Sequence, residues 1–204
     1  MDQSTEGVTA SQAEADLALI RKMMSAGRKR AGIDGSHLVL WGAVLAVTFL
    51  AQYLMSTGIV PRFHIEAWVV AIVTGSIASS YLGRKMGPQY CGPNPTLTGY
   101  VSAWQAVGLT MVLYFVTSIL SGETDNRTIS ILSSGVMGSA FFVMARVIIT
   151  KPLYFAAFGW WAIMIYDAQL AEIHVETLLV KSIACVFLVL FPGLFLKRLS
   201  SAED

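Results

Sequence analysis

Past His37, and as far as Thr57, the chain carries no Asp, Glu, Lys or Arg. A run of about 20 such residues, rising about 1.5 Å each as a helix, matches a lipid hydrocarbon core about 30 Å thick. Five further runs are mostly apolar: Ala67 to Gly83, Thr98 to Leu120, Ile129 to Thr150 with Arg146 near its end, Pro152 to Ala171 with Asp167 near its end, and Thr177 to Leu196 with Lys181 near its start. Within lipid each run must pair its own backbone amides, which an isolated strand cannot do, so helices are expected. The expected fold is all-α, a polytopic membrane bundle of six transmembrane helices in three hairpins, preceded by an amphipathic cytoplasmic helix. Residues 1–36 form the cytoplasmic arm in this reading, 37–198 the bundle and 199–204 a short cytoplasmic tail.

Composition agrees. The chain is 55% hydrophobic and 13% charged, against about 25% charged in soluble domains. A water-soluble globule of this length could not hide that much apolar surface. The formal net charge is only +1, so nucleic acid is not an expected partner and the lipid bilayer is. Met1 to Ser11 is polar and lacks the basic start and apolar run of a signal peptide, so the first span is expected to be retained.

The placement of basic residues sets the expected orientation. With the N-terminus in the cytoplasm, eleven of the 14 Lys and Arg fall on the inner side: Arg21, Lys22, Arg28, Lys29, Arg30, Arg84, Lys85, Arg146, Lys151, Lys197 and Arg198. Arg62, Arg127 and Lys181 fall outside. Arg146 and Lys181 stand close enough to span ends to reach the interface with their long side chains. Both termini are therefore expected in the cytoplasm. Lys151 and Pro152 are expected to make the tight turn between the fourth and fifth spans.

Ahead of the first span, Ser11 and Glu14 form a capping box, and Ala13, Leu17, Ile20 and Met24 recur at helical spacing. The cluster Arg28, Lys29, Arg30 follows, suited to a surface of anionic lipid or to docking a partner. The stretch Leu17 to Leu40, with Ile-Arg-Lys-Met-Met, the basic cluster and Gly-Ile-Asp-Gly-Ser-His-Leu before Trp41-Gly42, resembles a loose group of small bacterial multi-helix inner-membrane proteins of unassigned function. That resemblance implies a bacterial inner membrane and a non-enzymatic role, and it assigns no catalytic residue.

The residues offer little chemistry. Cys91 and Cys185 lack metal-ligand spacing. His64 with Glu66 and Glu172 with His174 could meet outside the membrane as a weak metal site, but solvated loop residues are the plainer expectation. Gly135 to Ser139 lacks the serine-between-glycines pattern of a nucleophile elbow. No metal, cofactor or catalytic residue is expected. Ala67, Ala71, Gly75, Ser79 and Gly83, every fourth residue of the second span, form a small-residue ladder for close helix packing; Ser130, Ser134 and Gly138 form a shorter one. Asp167, Gln52 and Gln105 are candidates for a polar path. Asp167, near the outer end of the fifth span, could bind a cation, relay a proton, reach interfacial water, or pair with Lys181 or Arg127. Trp160 and Trp161, mid-span, either pack in the bundle or line an apolar pocket.

The leading expectation is a non-enzymatic membrane protein acting by association with a partner or with itself. The alternatives are a small-solute transporter or channel, and an apolar-ligand or cofactor-binding protein. The charge bias makes a direct prediction: a topology reporter fused after Asp204 reads as cytoplasmic, and one inserted between Ser121 and Thr128 reads as external. An external C-terminus would overturn the six-span count.

Overall fold

The computed structural model describes residues 12, 14–18, 35–61, 67–86, 95–123 and 125–201. Every regular element among them is helical. The main elements are α1 (Ser36–Ser56), α2 (Ala67–Met86), α3 (Pro95–Ser121), α4 (Asn126–Ile148), α5 (Lys151–Gln169), α6 (Glu176–Cys185), a π-helical turn (Val186–Leu190) and α7 (Phe191–Ser201). The last three run on as one helix. Residues 14–18 are also helical and exposed. Ser11, the cluster Arg28, Lys29, Arg30, and Cys91, His64 and Glu66 lie outside the described residues.

Four helices, not six, are long and apolar enough to cross a membrane: Ser36–Ser56, Leu97–Ser121, Asn126–Ile148 and Glu176–Ser200. The expectation of six spans is corrected at α2 and α5, and the reason lies in their side chains. α2 places Thr74, Gly75, Ser76, Ser79 and Ser80 in its body and ends in Arg84 and Lys85. α5 is only 19 residues long. It starts at Lys151, carries Asp167 near its end, and takes much of its bulk from Trp and Tyr rather than aliphatic residues.

The helices form a curved row in which α2 borders α1, α1 borders the α6–π–α7 helix, that helix borders α5, α5 borders α4, and α4 borders α3. The α4–α5 hairpin is the most extensive of these interfaces. Its turn is made by Ile149 and Thr150, one step earlier than expected, with Lys151 already helical and Pro152 in the first turn of α5. Pro is well placed there because a first-turn N–H has no helical acceptor. Ile149 takes a left-handed backbone conformation (φ 54°), uncommon for a β-branched residue. Its amide bonds to the Ala145 carbonyl, which closes α4.

α2 retraces α1. His37 Nδ1 stands 2.9 Å from Ser79 Oγ at one end, and Trp68 Nε1 donates to Gln52 Oε1 at 2.6 Å at the other. α5 retraces α4 in the same way, since the Arg127 guanidinium in the first turn of α4 donates to the Ala168 carbonyl at 2.6 Å. The core is shared by α1, α3, α4, α5 and the final helix, with Phe141, Met144, Leu153 and Val189 fully enclosed. Trp104 of α3 meets Phe141 edge-on at 5.5 Å.

The final helix lies against α1 backbone to backbone. A Cβ on Gly42 would come within 2.7 Å of the Leu190 amide nitrogen, and one on Gly193 within 2.8 Å of the Val39 amide nitrogen. Pro192 sits inside this helix. It has no N–H for the carbonyl four residues earlier, and its ring crowds that carbonyl. The π turn immediately before it widens the helix, and the Phe191 amide bonds to the Val186 carbonyl five residues back. Such turns are a recognised response to an interrupted ladder.

On α2, Ala71 and Gly75 are buried, Ser79 reaches His37, Ala67 is half-buried and Gly83 is exposed with open space beside it. The ladder therefore meets α1 over its middle and leaves it at Gly83. A Cβ on Gly75 would lie 2.9 Å from Trp41 Cη2. Gly75→Leu must displace that indole, and overpacking of this kind costs about 1–3 kcal/mol. Val70 is exposed, so Val70→Leu should be silent. Thermal unfolding in detergent is expected to show a lowered midpoint for the first variant alone. Equal midpoints would show that α2 leaves α1 at no cost.

Candidate functional site

The enclosed charged side chains, with Ser130 and Ser134, gather between α4, α5 and α6. Asp167, in the last turn of α5, and Lys181, in the second turn of α6, are both buried. Lys181 Nζ lies 3.3 Å from Asp167 Oδ2. The same ammonium donates to the Ser130 carbonyl at 3.0 Å and to Ser133 Oγ at 3.4 Å, both on α4. The Ser130 hydroxyl donates to Asp167 Oδ2 at 2.7 Å. One carboxylate oxygen thus joins three helices, and all three ammonium protons have an acceptor within reach. The next residue of α6 after Lys181 is Ser182, whose hydroxyl donates to the Ala46 carbonyl at 2.8 Å, extending the connection to α1.

Two buried atoms of this region, Asp167 Oδ1 and Ser134 Oγ, have no hydrogen-bond partner among the described residues. Ser134 follows Ser130 by one turn on the same face of α4. The cluster is therefore one donor short on its carboxylate side. Below it, Ser134 and Gly138 continue the buried seam between α4 and α5, where Gly138 takes the edge of the Trp161 indole and Gly135 faces Met164. Trp160 is buried in the core, and Trp161 lies against Phe142 with ring centroids 5.5 Å apart. Both indoles pack within the bundle.

The N-terminal end of α4 is fixed by Asp125, a residue that the sequence analysis does not single out. Asp125 caps the helix, accepting from the Arg127 amide at 2.9 Å and the Thr128 amide at 3.2 Å, with the Thr128 hydroxyl as a third donor. These donors, the Thr128 hydroxyl first, hold its carboxyl below the ordinary 3.8. A lowered folded-state value means that the cap's contribution is complete at neutral pH, and is lost only as the pH falls through that lowered value. The signal was available in Asp-Asn-Arg-Thr, an acceptor side chain three residues before a threonine at the start of an apolar run.

The three candidates for a polar path do not converge. Asp167 closes on Lys181. Gln52 accepts from Trp68 on the α1–α2 side. Gln105 is exposed on α3. Arg127, the other possible partner of Asp167, turns to the Ala168 carbonyl instead. Lys181, expected to extend toward the interface, is folded inward, whereas Arg146 is exposed. His174, Glu172 and Glu176 are exposed, and no group of metal-binding side chains occurs among the described residues. Cys185 is buried with a free thiol.

Comparison of the chain with protein-family models, with curated proteins and with solved structures gave no match. The functional reading rests on the chain's own residues.

The buried pair makes a thermodynamic prediction. Removing one partner leaves the other charge enclosed and uncompensated, at a cost of about 3–5 kcal/mol, whereas replacing both with apolar groups is far milder. Lys181→Met and Asp167→Leu should each lower the unfolding midpoint in detergent strongly, and the double variant should recover much of the loss. Additive losses across the cycle would mean that the two side chains do not interact.

Proposed function

We propose that this chain is a non-enzymatic integral membrane protein that works by association, with a partner or with itself. The observation that carries the reading is the position of α3. Only 6% of its candidate crossing segment is buried inside the structure, against 44% for Asn126–Ile148 and for Glu176–Ser200. Its one extensive interface is with α4. A long helix attached along one edge, with the rest of its surface open, is suited to holding another chain. α2 stands likewise at the opposite end of the row.

In this reading the four long apolar helices cross the membrane, with both termini in the cytoplasm of a bacterial cell, in its inner membrane, and α2 and α5 pack antiparallel against α1 and α4. The inward bias of Lys and Arg supports the orientation. Neither alternative gains from the placement of the residues that motivated it. Gln52, Gln105 and Asp167 lie on different sides of the row, and Trp160 and Trp161 are packed against their neighbours.

The test is chemical crosslinking of the full chain in intact membranes, followed by isolation in mild detergent. The expected result is a discrete adduct of defined mass, reduced when residues 1–36 are deleted. A solitary monomer under both conditions, with the arm removable without effect on cell or protein, would count against association.

A further inference from the structure

α3 carries an ordered pattern on the surface it leaves open. Ser102, Gln105, Leu109, Val112, Val116 and Ile119 are spaced 3, 4, 3, 4 and 3 residues apart. All six are exposed. Trp104, immediately beside Gln105 in sequence, turns the other way and packs on Phe141. The alternation of three and four is the a/d repeat of a left-handed helix pair, whose knobs enter the holes of a facing helix at a crossing of about 20°. Nothing within the described residues fills those holes. Gly108, next to the seam, has no atom within 4 Å of where a Cβ would stand, so a neighbouring helix meets no obstruction there.

Gln105 identifies the occupant. Its carboxamide makes no hydrogen bond among the described residues. It stands eight residues into the 25-residue segment that begins at Leu97, about 12 Å along the helix, and so within a core about 30 Å thick, toward one side of it. A carboxamide at that depth needs a donor and an acceptor together, and another carboxamide supplies both. Every copy of the chain inserts with the same orientation, so the α3 helices of two copies are necessarily parallel. About a two-fold axis along the membrane normal, each residue near the axis faces its own counterpart. A polar residue at an a/d position is also a device that fixes register in parallel pairs, and here Gln105 stands next to four apolar positions, Leu109, Val112, Val116 and Ile119.

We infer that α3 is the interface of a parallel homodimer, with the seam Ser102 to Ile119 at the two-fold axis and Gln105 hydrogen-bonded to Gln105 of the second copy. The inference rests on the association reading and narrows it to one surface and one partner. The other helices of the bundle stay outside the contact.

The experiment is cysteine crosslinking of the full chain in membranes, in a Cys91→Ser background that retains the buried Cys185. Single cysteines at Leu109, Val112 and Val116 are expected to give disulfide dimers on mild oxidation, and cysteines at Phe115 and Thr117, off the seam, are not. Gln105→Leu, a substitution on an exposed face, should leave the monomer's thermal unfolding unchanged. It should lower the dimer-to-monomer ratio about three-fold to thirty-fold, the range corresponding to interhelical hydrogen bonds in membranes. Dimers that crosslink through α2 positions such as Val73 and Ile77 but not through the seam would overturn this inference and leave association standing. An adduct of the seam cysteines with a different protein would do the same. A monomer with no adduct at any position would overturn both readings.

Discussion

The ammonium of Lys181 is the group on which the arrangement of α4, α5 and α6 depends. A buried cation is tolerable only if its protons find acceptors, and here the acceptors come from two other helices: the Asp167 carboxylate on α5, and the Ser130 carbonyl and Ser133 hydroxyl on α4. None of the three helices can shift along its axis without uncovering a charge. The apolar contacts of Phe141, Met144, Leu153 and Val189 supply the bulk of the packing. The ion pair adds a directional contact to it, and it holds the N-terminal parts of α4 and α6 at the level of the C-terminal turn of α5.

From this fixed corner the structure loosens in both directions along the row. α1 is held to the final helix by glycine-mediated backbone contact and by the Ser182 to Ala46 bond, and α2 is held to α1 by two side-chain bonds and the Gly75–Trp41 contact. On the other side α4 holds α3 mainly through Tyr100, Trp104 and their neighbours. Exposed apolar side chains occur on every long helix, Val47 on α1, Phe155 on α5 and Phe187 on the final helix among them, as well as along α2 and α3.

Much of this was legible in the sequence, and the failures have physical reasons. Helices α1, α3, α4 and the final one announce themselves because long uncharged runs have no other stable use. α2 and α5 are helices as expected, yet their composition alone does not qualify them as crossings: serine, glycine, tryptophan and tyrosine dilute the apolar signal where the chain uses those residues for packing. Asp167 was singled out because a carboxylate in an apolar run is conspicuous. Its pairing with Lys181 was one of several options, since one sequence cannot say which helices are neighbours. Lys181 was misjudged as a snorkelling residue for the same reason: nearness to a span end does not reveal which way a side chain faces. The a/d seam of α3 is a plain sequence pattern, but it becomes informative only once its surface is known to be uncovered. The arm's basic cluster lies outside the described residues.

The π turn at Val186–Leu190 changes what the last helix can do for its neighbours. An ordinary α-helix turns about 100° per residue, so one additional residue in the coil swings everything after it through a substantial part of a turn. Before the insertion, the helix turns Lys181 to α4 and α5 and Ser182 to α1; after it, Gly193 and Leu196 lie against α1 at its N-terminal glycine. The added residue thus decides which side chains of the second half meet α1, while the first half keeps its own set. Pro192, with no N–H to give to the carbonyl four residues earlier, stands just past the widened turn.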